Sequence, residues 1–375
     1  MKRHKFLQIH SLHGYTSVLL NRDDSGLAKR LLYGGATRTR VSSQCLKRHW
    51  RMDRGVHSLG NIEGVDVGIR SRETVTKRII QPLAGVEAKV VEVINEVFQK
   101  AVYGDKGVEK GSRQPLLLGE QEINYLAGEA QRIAAESRGD AKLAKTLCKA
   151  WQKDSRKNLK ALREACALPG GIAAALFGRM VTSDPEANID ACVHVAHSFT
   201  VHAEEVESDY FTVVDDLRMA DDDAGASHIG ETELTSGLFY GYTVVDRAML
   251  LNNLGGDVTL ASEAISRLIR LIATVTPGAK LGPTAPYGYA SWMMVEASGW
   301  QPCSLAEAFR APCKPDVHEA ISRVVAYLSG LGEVYPSGER RHLWVNGKGA
   351  PELGERLPIA ELADWSARAL TEHIV

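Results

Sequence analysis

The pattern of apolar and polar positions divides this chain of 375 residues into segments of different period. Lys5–Leu12 (KFLQIHSL) alternates partially and predicts a short strand. A polar turn at Asn21–Asp24 and a Gly34-Gly35 break follow, then an extended Arg38–Val41, with Ser42-Ser43 as an N-cap pair opening a helix over Gln44–Met52. From about Arg70 to Leu168 the character is helical: Val86, Val90, Val93, Ile94, Val97 and Phe98 recur at spacings of three and four, as do Leu143, Leu147 and Trp151, with Leu159 and Leu162 beyond. Strand signals resume at Ile189–His202 and Leu238–Val245, followed by a helix over Val258–Ala273 and a strand over Ser291–Glu296. The C-terminal part predicts helices at Val317–Leu328 and Ile359–Leu370, with a strand at Arg341–Val345.

With the helical block set aside, the order is β-α-β-β-α-β, the split βαβ order of a ferredoxin-like or RRM-like domain, so the expected class is α+β. Two insertions interrupt it: the helical block, and Ala203–Gly237 between the middle strands. The second pairs Tyr210–Val214 with Ser227–Leu234 around the acidic stretch Asp215–Asp223 and reads as a long projecting hairpin. Expected boundaries are 1–58, 181–203 and 237–375 for the split domain, 59–180 for the helical insertion and 204–236 for the hairpin.

Net charge changes the picture once it is resolved along the chain. The whole carries −1, which taken as an average argues against an unspecific polyanion binder. Residues 1–60, however, hold 12 Lys and Arg against 3 Asp and Glu, a local +9 that leaves −10 for the rest. Six cysteines lie scattered without a CxxC pair, so reduced, packing thiols are expected and no disulfide framework or zinc ribbon. The basic start MKRHK is followed by a stretch broken by Gln8, His10 and His13, unlike a signal peptide, and no run approaches bilayer length; a soluble, cytoplasmic protein is expected.

The basic segment is also the richest in chemistry. Arg38 and Arg40 share a face of an extended segment, and on the helix that follows Lys47 and Arg51 are i,i+4 neighbours with Arg48 beside them. Between strand and helix, the hydroxyls of Ser42 and Ser43 and the free amides of a helix N-terminus, at Gln44, converge in a geometry suited to phosphate. A capped helix with a solvated basic face fits the same spacing, and the local +9 favours a phosphate partner. Gly178–Ser183 supplies Arg179, Thr182 and Ser183 for phosphate contact and Met180 as an apolar wedge between bases, although a buried methionine is the commoner outcome.

Other constellations point less far. On a regular strand His194 and His202 face one side and His197 the other, which excludes a shared metal without a bulge; structural histidines are expected. Asp215-Asp216 and Asp221–Asp223 fit a solvated hairpin tip better than a magnesium site, and nine acids between Glu204 and Asp223 against Arg218 alone fit docking on something basic. Gly237–Tyr242 (GLFYGY) is as well explained by a half-buried aromatic strand as by a base-stacking one. No GxGxxG, P-loop, GxSxG or HExxH motif is present.

Six strings in register, LNRDD (Leu20–Asp24), RTRVSSQCLKR (Arg38–Arg48), GRMVTS (Gly178–Ser183), AHSFTVH (Ala196–His202), YFTVVDDL (Tyr210–Leu217) and ASHIGETELTSGLFY (Ala226–Tyr240), closely resemble the CasC family. Its members are backbone subunits of the type I-E CRISPR surveillance complex Cascade. The likeness runs from the N-terminus to about Thr276–Lys280 and is looser beyond. It implies an RRM-like palm, a helical finger domain at the first insertion and a thumb at the hairpin. It also implies copies assembled head to tail along a guide CRISPR RNA with other Cascade subunits, presenting bases to complementary target DNA, without catalysis, cofactor, metal or membrane. Guide-backbone contacts are implied at Arg22, Arg38, Arg40, Ser42, Ser43, Gln44, Lys47, Arg48, Arg51 and Lys280, with Arg179, Thr182 and Ser183 beside the wedge Met180. Phe211, Thr212, Leu217, His228 and Ile229 are the implied thumb residues that kink a base. Two rivals stand beside this reading: a metal-dependent ribonuclease of the related type III backbone kind using Asp23 or Asp24, and a monomeric RNA chaperone binding short RNA on its aromatic strand.

Overall fold

The computed structural model describes residues 5–165, 168–181, 184–213, 228–335, 341–345 and 353–371. The chain opens with β1 (Phe6–Val18), β2 (Arg30–Tyr33), β3 (Ala36–Val41) and α1 (Ser43–Met52). There follow β4 (Ile69–Ser71), α2 (Ala88–Tyr103), β5 (Leu116–Leu118), α3 (Glu120–Glu136), α4 (Ala141–Ala165) and α5 (Gly171–Phe177). Next come β6 (Val193–Val195), β7 (Ser198–Thr200), β8 (Glu205–Val213), β9 (His228–Asp246), α6 (Arg247–Asn253), α7 (Val258–Thr274) and α8 (Leu281–Thr284). β10 (Trp292–Ser298), α9 (Val317–Val334), β11 (Arg341–Val345), β12 (Glu355–Arg356) and α10 (Ile359–Thr371) complete an α+β fold. Among the described residues no helix is long and apolar enough to cross a membrane.

The chain forms two compact units, one of residues 1–58, 194–245 and 265–375, the other of residues 59–193 and 246–264. The first is built on a sheet of order β12-β11-β10-β1-β9-β7-β3-β2, in which β10-β1-β9-β7 is compatible with a split βαβ core. Its strands are longer than alternation predicts, and β1 is buried along its first seven residues, the polar Gln8, His10 and Ser11 included, because both faces of the sheet are covered there. The Ile189–His202 strand is instead broken into β6 and β7 at Ala196-His197. The β2–β3 turn is Gly34-Gly35, both at positive φ, the geometry of a two-residue hairpin. A Cβ on Gly34 would overlap the Arg310 carbonyl oxygen, so no other residue fits there.

Both faces of this sheet are covered. On one, Tyr15, Val18, Val41 and Phe239 pack with Cys45 and Leu46 of α1. On the other, Phe199, Leu238 and Tyr240 meet Phe309, Ile321 and Val324, bringing in α9 and the 3-10 turn Leu305–Phe309. Tyr240 is 1% exposed; its hydroxyl accepts from Leu305 N at 3.0 Å and its ring lies 5.2 Å from Phe309. The aromatic strand is therefore a core strand with no open stacking platform, which removes the basis of the RNA-chaperone rival.

The second unit is mostly helical, as the sequence period predicts, with the β4–β5 pair as the part that period missed. Val90, Ile94, Phe98 and Val102 line the buried stripe of α2, and Phe98 stacks on Trp151 of α4 at 4.2 Å. The buried stripe of α4 runs through Ala144, Cys148 and Trp151, whereas Leu143 is exposed. Of the expected stripe Leu143, Leu147 and Trp151, Trp151 is buried and Leu147 packs on the same core, while Leu143 is left exposed and Ala144 takes the buried position beside it.

Candidate nucleic-acid interface

Strand β3 and helix α1 bring the basic segment together in the first unit. Ser42, with extended backbone, is the N-cap of α1, and its hydroxyl accepts from the Cys45 amide. Ser42 N in turn donates to Asn21 Oδ1 at 3.0 Å, which ties the 21–29 turn to the helix start. The amides of Ser43 and Gln44 find no acceptor in the described chain, and no acid stands in the first turn. The helix N-terminus thus keeps its positive field. Ser42 and Ser43 are buried, Ser42 being spent on the cap, while Gln44 and Arg48 are exposed and Lys47 and Arg51 half-buried.

Arg40 is half-buried beside this end. Its Nε donates to the Arg30 carbonyl at 3.0 Å and its Nη1 lies 2.6 Å from His197 Nδ1. Although His197 is exposed, partial desolvation lowers its imidazole from the ordinary value and the charges of Arg40, Lys29 and Lys47 lower it further; because a guanidinium can only donate, His197 Nδ1 is the acceptor. Burial pushes the Cys45 thiol up to about 11, against the opposing charges of Lys29 and Arg48. These two perturbed groups mark one concentrated cationic field of Lys29, Arg40, Lys47 and Arg48. Lys29 carries no signal of its own in the sequence, although it lies inside the +9 segment.

Arg38 differs. It is 0% exposed, and its guanidinium donates to the carbonyls of Tyr33, Thr200, Phe309 and Arg310 at 3.4, 3.0, 3.0 and 3.3 Å. The expectation that Arg38 and Arg40 present one phosphate-binding face is corrected: in this fold Arg38 is a structural cation closing the sheet edge over four main-chain oxygens. Arg22 is exposed in the 21–29 turn. Lys280 is half-buried and donates to Thr232 Oγ1 at 2.7 Å, which ties it to β9. Asp23 Oδ1 accepts from the amides of Ser25 and Leu27 at 2.9 and 3.0 Å, a turn-forming role, and Asp24 is exposed. Among the described residues no cluster of His, Cys, Asp or Glu could hold a metal; His194 is exposed, His197 pairs with Arg40, and His202 is buried with Nε2 accepting from Leu238 N at 3.1 Å.

In the second unit, Arg179 also departs from expectation. It is buried in a salt bridge with Glu122 at 2.7 Å and donates further to the carbonyls of Ala187 and Leu117. It thus binds protein rather than presenting itself to phosphate; Glu122, inside a run of helical polar residues, carried no sequence signal for this role. Met180, its neighbour, is 74% exposed, so the commoner buried methionine does not apply. It stands on a groove of about 860 Å³ with Lys100, Tyr103, Lys106, Gln114 and Lys153. Because it packs on little, Met180→Glu is expected to leave the melting temperature within about 2 °C, checked by calorimetry, since surface substitutions away from special features fall within roughly 0.5 kcal/mol. Thr182 and Ser183 lie outside the described residues.

Strands β8 and β9 form the hairpin, pairing from Glu205↔Ser236 to Val213↔His228. Phe211 is opposite Gly230, and a Cβ on Gly230 would overlap the Phe211 ring, so glycine lets the ring lie across the neighbouring strand. Phe211 and Thr212 are exposed, as is Tyr210 beside them, which the sequence did not single out. His228 and Ile229 are placed by their backbone alone, opposite Val213 and Thr212, and Leu217 and the acidic stretch Asp215–Asp223 lie outside the described residues.

Comparison with solved structures returns the same architecture. One chain of a "CRISPR RNA-guided surveillance complex, pre-nicking" is 27% identical over 97% of this chain and all of that one, with a TM-score of 0.77. A chain of a "CRISPR RNA-guided surveillance complex", 23% identical over 97% of this chain and 99% of that one, shares the fold at a TM-score of 0.60. No curated protein matches the chain. The likeness to Cascade subunits read from the six strings is thereby borne out. Residues 7–365 match the Cas_CT1975 family, the CT1975-like proteins, and the chain belongs to that family.

Proposed function

We propose that this protein is a CRISPR RNA-binding backbone subunit of a type I-E Cascade surveillance complex. It oligomerises head to tail on the guide RNA, holds the RNA's phosphates without cutting them, and presents bases to complementary target DNA. Family membership and the likeness to a surveillance-complex chain support the assembly. The observation that carries RNA binding is the cationic field of Lys29, Arg40, Lys47 and Arg48, gathered at an N-terminus whose first amides have no acceptor in the described chain. Such a field recognises successive phosphates and ignores base identity. Met180 in the one unit and the exposed Phe211 in the other each offer an apolar surface of the kind that unstacked bases meet.

Sequencing the nucleic acid that co-purifies with the protein tests this directly: repeat-flanked spacers support the reading, and their absence overturns it. With about five phosphates held per copy, retention is expected to fall roughly a hundredfold between about 50 and about 200 mM salt and to be indifferent to spacer sequence. Incubation of the assembly with complementary RNA and magnesium separates this reading from the ribonuclease rival, which requires periodic cuts. That Asp23 is held by two turn amides favours intact RNA.

A further inference from the structure

Arg30 in β2 binds both sides of the hairpin root. Its Nε lies 2.7 and 2.8 Å from the two carboxylate oxygens of Glu204, the residue before β8, and its Nη2 lies 2.5 Å from Glu233 Oε2 in β9. Both acids are further held: Glu233 Oε1 accepts from Ala28 N at 2.8 Å, Glu204 accepts from Thr39 Oγ1 at 3.4 Å, and Glu204 N donates to the Thr37 carbonyl at 2.8 Å. The same residue also holds Arg40 by its main chain. The Arg30 carbonyl accepts from Arg40 Nε, and the neighbouring Lys29 carbonyl accepts from Arg40 N at 2.8 Å. Arg30 thus joins Arg40 directly to both strands of the hairpin root, beside the longer route through Phe199 of β7 to Tyr240 of β9.

We infer that Arg30, with Glu204 and Glu233, is a positioning clamp that couples occupancy of the cationic field to the set of the hairpin, so that an RNA phosphate drawn to Arg40 stiffens the hairpin root. The inference rests on the RNA-binding reading and adds to it a coupling between two parts of one unit. Charge-assisted, bidentate pairs suit this task because they hold direction as well as distance. Arg30 itself faces two carboxylates and is not a phosphate contact; its role is exerted through Arg40 and the hairpin.

Hydrogen exchange of amides 205–213 and 228–236 tests the coupling, measured on the full chain with and without its co-purified guide RNA. In the wild type RNA is expected to slow exchange at the root about tenfold, local opening there being suppressed. Arg30→Gln is expected to retain RNA within about threefold yet lose that slowing, while Arg30→Lys, which keeps one ion pair, recovers part of it. A purely structural role for Arg30 would raise exchange equally in both states and leave the RNA-dependent difference intact, which overturns the coupling. So does a wild-type hairpin that ignores RNA. Failure of the wild type to bind RNA overturns the functional reading instead. Should Arg30→Gln not fold, Glu233→Gln, which leaves the Glu204 pair in place, gives the same decision.

Discussion

Replacing Arg40 and Lys47 together by glutamate is expected to abolish co-purification of guide RNA while the protein remains folded. Each lost charge-assisted contact to phosphate is worth about 1.5–3 kcal/mol, and reversal adds repulsion, so affinity should fall by at least about a thousandfold. The fold should survive because both side chains are half-exposed. The Arg40 bonds to the Arg30 carbonyl and to His197 are two contacts at the rim of the sheet, worth about 1 kcal/mol each. The measurements are the ultraviolet absorbance of nucleic acid relative to protein in the purified material and the melting temperature. RNA retained at wild-type stoichiometry by a folded double variant would sink the assignment of this surface. The RNA-free variant should also show the His197 ring titrating closer to its ordinary value, since two of the cations that hold it down have become anions.

The second large effect concerns stability of the helical unit. Glu122→Ala leaves the guanidinium of Arg179 buried without a counter-ion and strips the acceptor from the amides of Gly119 and Gly170, which sit 3.0 and 3.1 Å from Glu122 Oε2. Removing one member of a buried pair costs about 3–5 kcal/mol, most of it the desolvated charge left behind. The opening free energy of α3 amides, read by hydrogen exchange, should drop by that amount. The double variant Glu122→Ala with Arg179→Met should recover part of the loss, because an apolar side chain of similar length needs no counter-ion. A loss below about 1 kcal/mol for Glu122→Ala would mean that water reaches the pair and that its burial is only apparent.

Much of the molecule was legible in one dimension because its signals are local. The N-cap at Ser42 depends on a hydroxyl three residues from an amide, and α2 and α7 announce themselves by apolar spacing. The hairpin was visible in its alternation, although pairing extends to Glu205↔Ser236, since the charged residues at its root do not look like strand until their partners are known. The basic surface was visible as a composition shift, yet its membership was not. Arg38 and Arg40, two residues apart on one extended segment, were equivalent in spacing; one is enclosed by carbonyls and the other opens toward Lys29 and Lys47. Arg179 and Met180 exchanged expectations in the same way, the cation buried and the hydrophobe exposed.

By itself, then, the sequence determined the class of fold, the family likeness and the segment where positive charge accumulates, all of which follow from neighbours within a turn or two of each residue. Only the tertiary structure decided which cations are available to a phosphate and which close the protein on itself. That choice depends on residues remote in the chain, Thr200, Phe309 and Arg310 around Arg38, Glu122 against Arg179, Glu204 and Glu233 on Arg30. A charged side chain in low dielectric must find its partners wherever the fold brings them, and no local pattern records where that will be.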